Sequence, residues 1–424
     1  MKKSILLLPV ILITWVNVIV SQSLIITEIT VIGHEKTQAY IIQRELQHPV
    51  GVPLDSAIAE ADRDRLDNLG IFSHVSWDVL PKGSEGLVLR YLLIESWRYL
   101  PGASPVYEEG FGWSIDGGIL FNNFRGRNES LNIGGQYGAR TNFSAFWYNP
   151  WMTGDHISLQ LGVSKDILQH PFLPYKKATF NTNIKLGRYY GYRWKTRVGI
   201  EWEATKFSHE KENIELTSIQ PQLQIAYDTR DIYTTPNRGF FIIHSVNAVI
   251  HLRSDRPDFW QWDQSYSGYR TLVKSKTPLI GTVNISGQLT FGNPEEIWVQ
   301  YIGGAFSVRG WKTPSQVIYQ GGERDFRFGF QAIHGTLELR QTIIPKFATK
   351  FKNEFGVSAS AYLDAGFISK EKSDLNNQKT MFGAGIGLQI LWPIVQLVRF
   401  DYAWAFREGE YVEKAFHIAF GQKF

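Results

Sequence analysis

Cysteine is absent from the 424 residues. That absence excludes disulfides, a thiolate nucleophile, a cysteine metal site and a lipid-anchored lipoprotein N-terminus. Beyond residue 23 no run of about 18 apolar residues occurs, so no transmembrane helix is expected. A strong charge excess is also missing. The formal charge is +4, and without Lys2 and Lys3 it falls by two to +2. Nothing in that balance points to nucleic acid as a partner. The chain carries no Gly-x-Ser-x-Gly elbow, no His-Glu-x-x-His pair and no phosphate-binding Gly-x-x-x-x-Gly-Lys. Its ten histidines are scattered without ligand spacing. We therefore expect no enzyme, no catalytic residues, no metal and no cofactor.

What is present is aromatic and small. Aromatic residues make up 14% of the chain, with 14 Trp, and 38 residues are Gly. A membrane β-barrel needs that mixture, with aromatic belts at both interfaces and small residues where strands curve. Residues 1–23 read as a signal peptide: Lys2 and Lys3 form the charged start, Ser4–Val20 is mostly apolar, and Ser21 and Ser23 are small. The other reading of this stretch is an uncleaved anchor.

Residues 24–96 read as a small β-α-α-β-β module. Ile25, Thr27, Ile29 and Val31 alternate along a first strand that Gly33 ends. Thr37 is a candidate N-cap for a helix carrying Ala39, Ile42 and Leu46. Pro53 opens a second helix over 54–69, which Gly70 closes. Two strands follow, Phe72–Leu80 and Gly86–Glu95. Residues 97–109 contain Pro101, Gly102 and Pro105 and read as an irregular linker.

From Gly110 to Phe424 one pattern repeats. Alternating segments of roughly ten residues are separated by Gly, Asn, Asp or Pro turns. Ile157-Ser-Leu-Gln-Leu-Gly-Val and Gly383-Ala-Gly-Ile-Gly-Leu-Gln-Ile are examples. One face is apolar, for lipid, and the other suits a wet interior. In hydrocarbon every backbone amide must be paired, so such a sheet has to close. The 315 residues from 110 to 424 allow about sixteen strands at roughly 20 residues per strand and turn. The fold class is thus mainly β: a transmembrane antiparallel barrel preceded by one small β-α-α-β-β domain. Soluble sandwich and propeller readings compete with it.

Within the barrel region, Tyr301–Trp311 places Arg309 on a glycine-flanked turn. Glu338 and Asp364 lie downstream in strand-like runs. A guanidinium inside a barrel is costly unless paired, and its fork suits carboxylates. The residues alone leave two readings open: Arg309 held by those carboxylates, or an ordinary wet loop arginine. Asp228, Arg230 and Asp231 read as structural charges at a strand end. Lys346–Lys352 reads as a solvated basic turn on the periplasmic side.

These segments carry a resemblance. Ile29–Thr37, Ile41–Leu46 and Leu69–Val75 resemble the POTRA domain, a periplasmic polypeptide-transport module. Seven further motifs follow in family order. They are Asn123–Leu131, Tyr227–Asp231 with Pro236–Gly239, Gly303–Trp311, Gly335–Arg340, Tyr362–Gly366, Arg399–Tyr402 and the terminal Phe416–Phe424. Together they look like the outer-membrane β-barrel assembly factor superfamily, the BamA-like or bacterial surface-antigen barrels, over residues 24 to 424.

The resemblance implies an outer-membrane location in a Gram-negative-type cell, with the POTRA-like domain in the periplasm. It implies that Val308, Arg309, Gly310 and Trp311 form a loop motif folded into the lumen, where Arg309 meets Glu338 and Asp364. Trp311 departs from the usual Phe or Tyr. Phe416, Phe420 and Phe424 form the C-terminal strand signal. The implied activity is assistance to β-barrel insertion, through client binding by the POTRA-like domain and a seam between a first strand near 110–121 and a last near 414–424. The implied partners are the lipid bilayer, unfolded outer-membrane proteins and accessory lipoproteins. Two alternatives stand beside it: a pore exporting one secreted partner, and an accessory barrel without insertase activity. Assembly factors usually carry several POTRA domains and this chain has room for one, which points to a specialised paralogue.

Overall fold

The computed structural model describes residues 25–83, 86–108, 111–154, 156–209, 213–252, 255–322, 324–350, 354–371, 380–392 and 396–424. The expected signal peptide lies outside these residues. In the N-terminal unit, β1 (Ile25–Ile32), α1 (Ala39–Gln43), β2 (Val52–Pro53), α2 (Ser56–Asn68), β3 (Phe72–Pro81) and β4 (Leu87–Glu95) succeed one another. The sheet order is β2-β1-β4-β3, with β1 parallel to β4. Alternation along β1 and β4 turns Ile26, Leu89, Tyr91 and Leu93 inward, where they pack against Ile41, Ile42, Ala59 and Leu66 of the two helices.

Two local expectations change. Asp55, not Pro53, starts α2, its side chain accepting from the amides of Ala57 and Ile58. Thr37 caps no helix: its hydroxyl donates to Glu95, and Gln38 sits at the helix start.

The barrel strands follow: β5 (Tyr99–Glu108), β6 (Gly112–Phe124), β7 (Glu129–Gly138), β8 (Arg140–Thr153), β9 (Ile157–Gln169), β10 (Lys176–Tyr190), β11 (Trp194–Ser208), β12 (Asn213–Asp228), β13 (Gly239–Leu252), β14 (Phe259–Val273) and β15 (Leu279–Gly292). A long loop then holds the short ribbon β16 (Gln300–Tyr301) and β17 (Phe328–Gly329), with α3 (Gln316–Gln320) and α4 (Arg324–Arg327) between them. The wall resumes with β18 (Gln331–Ala348), β19 (Glu354–Ser369), β20 (Met381–Trp392), β21 (Gln396–Arg407) and β22 (Glu410–Phe420).

Sixteen strands form one sheet, each paired with its sequence neighbour and β15 with β18. β22 lies against β5, but no ladder joins them among the described residues. The barrel is therefore nearly closed, with an unsealed seam. Strand alternation fixes the faces: Phe180, Ile184 and Tyr190 point outward, while Asn181, Asn183 and Lys185 point in.

The stretch 97–109 is a correction. Residues 99–108, expected as an irregular linker, form β5, in register with β6 from Tyr99↔Phe121 to Glu108↔Gly112. An edge strand needs hydrogen bonds on one side only, so Pro101 and Pro105 are tolerated there. The first barrel strand is therefore β5, not 110–121.

The N-terminal unit sits on the barrel end formed by the β6–β7, β8–β9, β10–β11 and β12–β13 turns. The Gln38 amide donates to the Gly126 carbonyl (3.0 Å) and the Asn123 side chain to Thr37 Oγ1 (2.8 Å). Asn68 is held twice, donating to Asp231 O (2.7 Å) and accepting from Tyr233 N (2.8 Å). The Arg44 guanidinium lies over Trp151 (4.2 Å), which stacks on His156 (3.8 Å), which stacks on Tyr189 (4.0 Å). Burial, with Arg44 and Lys195 nearby, pushes the His156 imidazole down to about 4, so at neutral pH this ring is uncharged beneath the Arg44 cation. Lys346, expected in a solvated basic turn, lies near the end of β18 and pairs with Asp67 of α2 (3.2 Å) and Glu354 (2.5 Å). A cavity of about 670 Å³ remains between this unit and the barrel mouth.

Candidate functional site

The loop between β15 and β18 folds back inside the wall. Its core is apolar: Ile302, Val308, Trp311 and Phe326 pack on Ile368, Met381 and Ala405 of the barrel strands. A second cluster joins Val299, Tyr319 and Phe328 of the loop to Phe172 and Leu173 in the β9–β10 connection. These contacts account for the order of a segment that has little regular structure of its own.

Arg309 lies at the tip with no exposed side-chain surface. It meets three carboxylates. Asp364 receives Nε (2.8 Å), a terminal guanidinium nitrogen (3.0 Å) and the Arg309 backbone amide (3.0 Å). Glu338 Oε2 lies 3.2 Å and Asp401 Oδ1 3.3 Å from the other terminal nitrogen. The Tyr362 ring lies below the guanidinium, 3.1 Å from centroid to carbon. Strand alternation explains the convergence. Glu338 on β18, Tyr362 and Asp364 on β19 and, one strand beyond β20, Asp401 on β21 occupy inward positions of the same stretch of wall.

The flanking residues are pinned as closely. The Gly310 amide donates to His417 Nε2 (2.9 Å) and the Lys312 amide to Glu413 Oε1 (3.1 Å), both on β22. Trp311 Nε1 donates to the Phe382 carbonyl (2.9 Å). Gly310 has φ +94, and a Cβ there would lie 2.8 Å from the Trp404 carbonyl oxygen, so only glycine fits. Arg399 reaches the loop carbonyl of Ala305 (3.2 Å).

The C-terminal residues join the same cluster. β22 ends at Phe420, and Gly421 (φ +91) turns the chain into the lumen. Lys423, 3% exposed, reaches Asp364 Oδ2 (2.9 Å) and Thr336 Oγ1 (2.8 Å). Thr336 in turn donates to Asp364 Oδ1 (2.8 Å). The Tyr269 hydroxyl on β14 donates to the Phe424 carbonyl (3.2 Å). Of the expected C-terminal signal, Phe416 faces outward and is exposed, and Phe420 shares its parity on β22. Phe424 does not continue the strand; it turns inward to stack on Tyr269.

The structure thus brings Arg309, Glu338 and Asp364 together. Val308 and Trp311 are buried in the apolar core beside them. Sequence reasoning missed Asp401, Tyr362, His417 and Lys423 as members. Asp401 carried a usable signal, since Arg399 and Asp401 alternate as charges on one face of a strand. Lys423 carried none, because only the turn at Gly421 takes it inside. Asp228, expected as structural, is buried and paired with Lys195 (3.1 Å) and Arg230 (2.9 Å) near the N-terminal unit. Among the described residues no cluster of three or more His, Cys, Asp or Glu suits a metal ion.

Comparisons with known proteins identify the family of the barrel. Residues 123–424 match the model of the Omp85 superfamily domain. The chain is 23% identical over 423 residues to the outer membrane protein assembly factor BamA of Nitratidesulfovibrio vulgaris, covering 95% of this chain and 52% of that protein. It is 22% identical over 401 residues to BamA of Neisseria meningitidis serogroup B, covering 85% and 49%. The chain spans about half the length of the curated relatives it matches. Among solved structures, BamA from Haemophilus ducreyi lacking POTRA domains 1–3 superposes with a TM-score of 0.58 at 19% identity, covering 94% of this chain and 84% of that one. CdiB from Escherichia coli gives 0.58 at 14% identity, with 93% and 75% covered.

Proposed function

This chain belongs to the Omp85 superfamily and its barrel lies in the outer membrane; on that premise we propose that it assists the insertion of β-barrel proteins there. The observation that supports this reading is the seam. β5 and β22 lie side by side, yet no ladder joins them among the described residues. An edge of unpaired amides and carbonyls is a template for another strand, which closed barrels otherwise abolish. An incoming client strand would pair with this edge while lipid burial drives the rest, and no nucleotide is required.

In this reading the Arg309 cluster holds the lumen loop in place, and the loop holds β22 through Glu413 and His417. The N-terminal unit faces the periplasm and receives unfolded clients by strand addition to its sheet, where β2 and β3 are the edges. Accessory lipoproteins would dock on the same unit.

The test uses the absence of native cysteine. One cysteine is scanned through 99–108 and a second through 410–420, and each pair is reconstituted in liposomes. The folding rate of a small client barrel is measured reduced and oxidised. Acceleration that disappears on oxidation supports seam-dependent insertion. No acceleration in either state overturns it and leaves the pore or the accessory barrel. Ion conductance separates those two.

A further inference from the structure

The outer wall is largely apolar, and a cluster of uncharged polar side chains interrupts it at mid-height on β13 and β14. On β13 the outward positions include Phe240 and Ile250, both well exposed, while Val249 is buried within. His244 shares the parity of Phe240 and sits sixth of the 14 residues in that strand. Directly across the ladder lies Gln264, sixth of 15 in β14. Tyr266, on the same outer face, donates to Gln264 Oε1 (3.1 Å) and lies 3.4 Å from His244 Nε2. Trp262 stacks on His244 with 5.9 Å between centroids.

The amide nitrogen of Gln264 makes no hydrogen bond among the described residues. Its surroundings in the membrane are lipid tails, which accept none. An unsatisfied polar group in hydrocarbon is costly. Long Lys and Arg side chains escape such sites by reaching the interface, but Gln and His are too short to do so. A pair of them at mid-height therefore needs a partner that enters the membrane with its own polar groups.

We propose that this patch is an intramembrane contact surface on which a second copy of the chain docks through the same patch. The occupant follows from the chemistry. Gln264 and His244 each offer both a donor and an acceptor, so a two-fold apposition lets the free amide of one copy donate to the imidazole or carboxamide of the other. The cluster contains no carboxylate, lysine or arginine to select an oppositely charged partner. Flat aromatic surface borders it, Trp260 stacking on Phe291 at 3.9 Å. The position is compatible with the seam, because β14 and β13 are seventh and eighth of the sixteen strands counted from β22. That places the contact on the opposite wall and leaves both edge strands free. The inference is independent of the insertion reading.

The experiment places a single cysteine at Val246, the outward position after His244, and a control cysteine at Leu161 on the outer face of β9. Purified full-length protein is reconstituted in vesicles of outer-membrane lipid and treated with a short bifunctional thiol reagent. The expected result is a dimer-sized product for Val246→Cys, at least tenfold above Leu161→Cys. Adding Gln264→Leu or His244→Leu should lower it several-fold. Both replacements favour lipid exposure, and heat-modifiable gel mobility verifies that the barrel is folded. A yield no greater than the control overturns the proposal. So does a yield that neither Leu variant reduces. A cross-link in native membranes to a different protein, with no dimer in vesicles, also overturns it in favour of a heterologous barrel partner.

Discussion

Arg309 is held by geometry that few side chains could supply. Its fork is bidentate to Asp364, its face rests on Tyr362, and its remaining nitrogen reaches Glu338 and Asp401. Arg309→Ala would strand these carboxylates, at a cost of about 3–5 kcal/mol. We expect a lowered urea midpoint for the barrel and protease access to the 293–330 loop. Arg309→Lys keeps the charge but loses the fork, and should recover only part of the loss. Asp364 serves both Arg309 and Lys423, so Asp364→Asn should cost more than Asp401→Asn in the same urea titration. A second residue-scale prediction concerns Asp64 on α2. Burial, partly offset by Arg63, pushes its carboxyl up to about 6. The folded state then holds its proton over a range, from the ordinary carboxylate pKa to about 6, in which the unfolded state has released it. Stability of the N-terminal unit should therefore fall as pH rises through that window and stay lower above it. Asp64→Asn should flatten the slope, as read from the melting temperature of that unit in the full chain at several pH values.

At the scale of elements, β22 is the informative strand. Among the described residues it has one ladder partner, β21, and an open side toward β5. On its inner face Glu413 and His417 hold the loop, and the residues after Gly421 reach Asp364 and Tyr269. Loop and tail thus do from inside what a sixteenth ladder would do from the side. Lys423→Gln should speed amide exchange along β22 several-fold and leave β10 and β11 unchanged. Lys206→Gln, which breaks the exposed pair with Glu215, should leave β22 exchange as it was. Residues 99–108 make the complementary point about legibility. Pro101 and Pro105 argued for a linker, and sequence alone does not say which strand will be an edge where proline is harmless.

For the whole molecule, the N-terminal unit and the lumen loop obstruct the barrel in series. The first sits on one mouth through Gln38, Asn68, Arg44 and Asp67. The second fills the interior around Arg309. Removing the outer obstruction alone should therefore have a small effect on conductance. Asn68→Ala with Lys346→Gln should give brief openings in planar bilayers, and adding Arg309→Ala should give sustained ones. Large conductance from the first pair alone would mean that the loop does not block the path.

The sequence by itself determined the period-2 alternation, and with it the barrel and its strand number. Each of these depends on a residue and its near neighbours, so local pattern suffices. Tertiary structure alone decided that 99–108 is the first strand, that Thr37 serves Glu95 rather than a helix, and that Phe424 leaves the outer face. It also decided that Asp401, His417 and Lys423 converge on the loop. Those outcomes depend on which wall segments face one another after the sheet curls. Arg309 and Asp401 are 92 positions apart. A contact of that separation is set by the barrel's curvature and stagger, which no local stretch encodes.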